Sequence, residues 1–175
     1  NEFQERYPGI NKKLLNHSTH QAQTALKSGI ANLAVVTTPI STEGSLNFHK
    51  LREFRELIIC ITKLKDLAKR TLTLEDLCSH PIISLNRNTR TYDFYSDFFF
   101  QHGIDFQPDI EVATADQIMP LVKSNLGIGL IPEPMAQSGD VYILKTDEEF
   151  PKRSIVLAEN ADKKLNADAT EIQKM

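Results

Sequence analysis

No excess of basic residues marks this chain. Its 20 Lys and Arg stand against 23 Asp and Glu, a formal net charge of −3. A self-sufficient nucleic-acid binder needs clustered positive charge for the phosphate backbone, and that is missing. No apolar run approaches the roughly 18 residues that span a bilayer. Cys60 and Cys78 are the only cysteines. They read as buried, reduced thiols, Cys60 in a strand-like run and Cys78 closing a helix; nothing supports a disulfide between them. Internal repeats and low-complexity segments are also missing.

Catalytic signatures are equally scarce. His17-x-x-His20 has helical spacing, but no Cys, Asp or Glu nearby completes a zinc set. Both histidines read as polar residues around a helix cap. Asp105, Asp109 and Glu111 read as a solvated loop and strand face. Ser18 sits in no G-x-S-x-G elbow. Gly127-Ile128-Gly129 follows a helix and opens a strand, the reverse of a dinucleotide fingerprint. The residues therefore predict no enzyme, no metal site and no cofactor.

What is present is an ordinary globular composition, 41% hydrophobic and 25% charged over 175 residues. That is enough apolar material for a sizeable core, in one domain or two small lobes. The chain opens with NEFQERYP, which reads as mid-helix, and closes inside another helical pattern, Asn166 to Met175. It reads as an excised fragment, so a missing signal peptide says little about a longer protein.

Strand and helix patterns alternate, which predicts an α/β class with largely parallel sheets. Strands are expected at Ile10–Asn16 (weak), Leu33–Val36, Leu57–Ile61, Pro81–Leu85, Asp109–Ala113, Val141–Leu144 and Ser154–Ala158. Leu33–Val36 reads as a parallel strand buried on both faces. Phe48–Phe54 is ambiguous between helix and strand. Helices are expected behind the Ser18-Thr19-His20-Gln21 capping box up to the stop at Gly29, over Leu74–Cys78 behind the Thr73 cap, and from Thr91 to His102, with Tyr95, Phe98, Phe99 and His102 on one side. Lys63–Arg70 and Thr146–Lys152 read as connectors between lobes.

The most informative stretch is Thr114–Pro132. Thr114 and Gln117 form a Thr-x-x-Gln capping box. Ile118, Leu121 and Val122 share one helical face. Gly127 reads as a left-handed helix stop and Gly129 as a place of close backbone approach. Pro120 inside the helix predicts a kink.

Hydroxyls and donors then gather at strand ends and helix starts: Ser18, Thr19, Thr62, Asn86, Arg87 and Thr114. An α/β sheet presents its ligand crevice at such positions. Helix starts and an arginine favour an anion there.

Several runs together resemble the effector-binding domain of LysR-type transcriptional regulators. They are FQERYPGI near the start, Leu26-Lys-Ser-Gly29 running into Asn32–Val36, Leu74–Leu77 followed by His80–Ser84, and above all Asp116–Pro132. Their order and spacing carry the likeness over nearly the whole chain. The resemblance implies two α/β lobes of periplasmic-binding-protein type joined by two crossing strands. Lobe I would be residues 1–63 and 150–175, and lobe II residues 64–149. A small-molecule effector would lie between them. By family position, Thr19 and Thr114 resemble the effector-facing hydroxyls of the two lobes, Thr62 a polar position at the first crossing, and Asn86 and Arg87 a cleft-lining loop.

The resemblance further implies a cytoplasmic protein that associates as a dimer or tetramer and stays off the membrane. DNA would be reached only through an N-terminal winged helix-turn-helix, and RNA polymerase is an admissible partner. Neither that reader nor the first strand of lobe I is expected within these residues. The alternative is a solute-binding protein of a transport system with the same fold, which predicts a secreted monomer. An enzyme is a third reading, without a catalytic constellation to support it.

Overall fold

The computed structural model describes residues 5–42, 44–136 and 141–162. Residues 1–4 of the expected opening helix and the closing pattern at 166–175 lie outside the described residues.

Two sheets organise the chain. The first holds β1 (Leu33–Thr37), β9 (Arg153–Asn160) and β2 (Leu46–Phe54), in that order and antiparallel throughout. Helix α1 (Thr19–Ser28) packs against it. Ser18 caps α1: Gln21 N donates to Ser18 Oγ and the Gln21 side chain accepts from Ser18 N. Leu26, Val36, Val156 and Ala158 form the core of this first lobe.

The second sheet has six strands in the order β4-β8-β3-β7-β5-β6. These are β3 (Glu56–Cys60), β4 (Thr71–Leu72), β5 (Ile82–Leu85), β6 (Ile110–Val112), β7 (Ile128–Pro132) and β8 (Tyr142–Thr146). Around them lie α2 (Leu74–Cys78), α3 (Arg90–Gln101) and α4 (Ile118–Lys123).

Strand alternation sends neighbouring residues to opposite faces, so this sheet has two cores. Ile58, Ile82, Ile128 and Leu130 meet the aromatic side of α3, with Tyr95, Phe98 and Phe99, together with Phe106 and Phe150. Ile59, Ile83 and Ile131 meet Ile118 and Val122 of α4. Gly129 permits that second contact. A Cβ there would stand 2.6 Å from Val122 Cγ2 and 2.7 Å from Ile118 Cγ2.

The structure departs from the sequence reading in several places. Among the described residues, parallel pairing is confined to β4–β8, β5–β6 and β5–β7. Strand β1 is antiparallel and pairs only with β9 among the described residues, leaving Val35 64% exposed. Ile10–Asn16 forms no strand. Phe48–Phe54 resolves as strand β2.

The chain passes from the first sheet to the second at Arg55 and returns between Thr146 and Arg153. Lys63–Arg70, expected to be a crossing, is instead mostly a 3-10 helix (Thr62–Lys69). Asn125, at φ 61, is the left-handed residue after α4. Gly127 serves close approach, since a Cβ there would run into the Pro81 carbonyl. Pro120 lies in the first turn of α4, where its missing N–H interrupts little; a 3-10 turn (Ala115–Gln117) precedes it. Cys60 is buried as expected, but Cys78 is exposed, and both are free.

Candidate effector cavity

Between the two sheets lies a cavity of about 590 Å³, with walls from both lobes. The first lobe supplies Asn16–Thr19, running into α1, and Val35–Thr37 at the end of β1. The second supplies Thr89–Thr91 at the start of α3, Ala113–Asp116, and the end of β7. Two helix starts, of α1 and α3, therefore face one space, and such ends present N–H groups and positive partial charge.

Of the residues singled out from sequence, Ser18, Thr19 and Thr114 line this cavity. Thr62, Asn86 and Arg87 are not among its lining residues. Thr62 follows β3, which runs antiparallel to β7 with Glu56 opposite Pro132. The start of β3 thus lies at the cavity end of the sheet, and Thr62 lies at the other end. Asn86 and Arg87 turn toward β6. Asn86 N donates to Val112 O, and Arg87 Nε pairs with Glu111 at 3.1 Å. The cavity wall resumes just beyond them, at Thr89.

Three charged groups stand at or near the rim. Arg90 reaches Asp93 at 3.7 Å, both about half exposed. Asp116 Oδ1 accepts from Asn16 Nδ2 at 3.3 Å, a hydrogen bond that joins the two lobes across the cleft. Hydrogen bonding from Thr114, then from Asn16, holds the Asp116 carboxyl below its ordinary range.

The junction of the lobes carries a buried polar network that the sequence reading did not single out. Arg153 opens β9 and is 2% exposed. Its Nη1 donates to Glu56 Oε1 and its Nε to Thr38 O. Its Nη2 donates to Thr37 Oγ1 and to Thr91 Oγ1, each at 2.9 Å. Tyr95 Oη donates to the second Glu56 oxygen at 2.7 Å. The guanidinium lies 4.9 Å from the Phe94 ring centre and 5.5 Å from that of Phe54. Burial pushes the Glu56 carboxyl up, against the pull of Arg153 and Tyr95. Burial likewise raises the Tyr95 hydroxyl well above its ordinary value. One signal was available in sequence. Glu56 and Arg153 are charges at the first positions of two apolar strands, each just after a lobe crossing.

The LysR substrate binding domain family model matches residues 1–172. The chain belongs to the LysR substrate-binding domain family. It is 28% identical over 135 residues to a protein of Cyanophora paradoxa described as "Probable RuBisCO transcriptional regulator", covering 74% of this chain and 41% of that protein. The LysR-family chain thus spans less than half the length of that relative. Among solved structures it resembles the regulatory domain of Synechocystis PCC6803 CcmR in complex with 2-PG, with a TM-score of 0.82 and 22% identity. That match covers 99% of this chain and 85% of the other. It also resembles the effector binding domain of QuiR in complex with shikimate, with a TM-score of 0.82 and 18% identity over 99% and 84% of the two chains. At those identities the likeness establishes the two-lobed fold.

Among the described residues no helix is long and apolar enough to cross a membrane. No group of three His, Cys, Asp or Glu among them could hold a metal ion.

Proposed function

We propose that the cavity between the lobes binds a small anionic effector, and that this binding modulates DNA binding and transcription in a longer regulator. The supporting observation is the cavity itself, walled by both lobes and faced by the starts of α1 and α3. A ligand touching both walls favours the closed arrangement by its difference in affinity between closed and open forms. Family membership favours a regulator over a transport-linked solute-binding protein. Shikimate, held by the similar QuiR domain, is a carboxylic acid.

In this reading Ser18, Thr19 and Thr114 contact the effector, while Thr62, Asn86 and Arg87 act elsewhere. The DNA reader, contact with RNA polymerase, assembly as a dimer or tetramer, and a cytoplasmic location belong to the same proposal.

A thermal-shift panel of small carboxylic and phosphorylated acids, run beside neutral and cationic compounds of similar size, tests it. An effector at about 100 times its dissociation constant adds roughly 2.7 kcal/mol. For a chain of this size that raises the melting temperature by about 5–10 °C. A panel in which neutral or cationic compounds stabilise the chain and acids do not would contradict the anionic reading.

A further inference from the structure

We propose that Thr37 and Thr91, both held by Arg153, form a two-hydroxyl seat for a ligand carboxylate at the junction of the lobes. Thr37 ends β1 in the first lobe and Thr91 lies in the first turn of α3 in the second; both line the cavity. Thr91 is itself 8% exposed. One nitrogen, Arg153 Nη2, donates to both hydroxyl oxygens at 2.9 Å.

A hydroxyl has one proton to give and lone pairs to accept with. Arg153 occupies a lone pair on each oxygen, so each proton remains to be donated. Neither hydroxyl donates to a protein acceptor among the described residues. The guanidinium also polarises both hydroxyls, which strengthens them as donors.

The chemistry selects the ligand class. Arg153 is charge-balanced by Glu56, so the seat offers hydrogen bonds rather than a free cation. Two donors fixed on a single nitrogen suit the two oxygens of a carboxylate. An ammonium group would meet a guanidinium and two hydroxyls already accepting from it. Because one donor comes from each lobe, an occupied seat ties the lobes together. Arg153 is here a positioning residue, acting through the threonines.

This seat rests on the reading of the cavity as an effector site, and acetate serves as its probe because it is small enough to enter any form of the cavity. With threonine methyl groups labelled with ¹³C, titration with acetate is expected to move the Thr37 and Thr91 signals together and saturably. Methylammonium at the same concentration is expected to leave both in place. In Thr37→Val the Thr91 response should weaken at least fivefold. Arg153→Lys, whose ammonium has three N–H groups for the four acceptors that Arg153 serves, should weaken the joint response. Should Arg153→Lys fail to fold, the Thr37→Val result stands alone as the test.

Acetate shifts confined to other threonines, or no shifts, would overturn the seat. If a larger acid stabilises the chain thermally while Thr37 and Thr91 do not respond to acetate, the seat fails and the effector reading survives. If no acid stabilises the chain, it is the effector reading that fails.

Discussion

Arg153 shows how one residue joins the parts of this molecule. Its side chain bonds Thr37 and Thr38 on the first-lobe side and Glu56 and Thr91 on the second. A buried ion pair of this kind is weak evidence for stability, because desolvation of two charges offsets their attraction. Breaking it from one side is different, since a lone buried charge remains. Glu56→Gln and Arg153→Met are each expected to lower unfolding stability by about 3–5 kcal/mol. The double variant should recover most of that loss in urea titrations. Additive losses in the double variant would show that the two side chains act independently.

Glu56 also has a pH signature. A carboxyl raised in the folded state contributes stability that is complete below its unfolded value, near 4.5, and lost as pH rises through its folded value. Measured as stability against pH, that part of the slope should vanish in Glu56→Gln.

At the scale of elements, what was legible in sequence was local. The Thr73 cap, the aromatic face of α3 and the apolar runs of β3, β5 and β7 all follow from spacing, and the structure contains them. Pairing direction was not legible. An apolar run such as Leu33–Val36 looks the same whether its partner runs parallel or antiparallel, and β1 is antiparallel at an edge. The same gap explains the placement of Thr62. The end of a strand faces the crevice only if that strand runs with its neighbours, and β3 runs against β7. In sequence Thr37 and Thr91 are merely a strand end and a helix start, because what unites them is Arg153, more than sixty residues from either.

Gly129, by contrast, is legible in sequence as a close approach, because a glycine in a buried strand leaves room that a neighbouring element fills. Gly129→Ala is expected to cost about 1–3 kcal/mol by forcing α4 away from the sheet. Urea unfolding of that variant checks the value; a change near zero would mean that α4 is free to shift.

At the scale of the whole molecule, among the described residues the chain passes between the two sheets at Arg55 and between Thr146 and Arg153. The Asn16–Asp116 hydrogen bond spans the cleft between the two lobes. The central claim is that one ligand engages both walls at once. Hydrogen exchange of the 175-residue chain, with and without the acid that stabilises it most, tests this directly. Protection is expected in both Asn16–Thr24 and Thr89–Tyr95, to a similar degree and with the same concentration dependence. Protection restricted to one of these segments, or falling elsewhere in the chain, would contradict it.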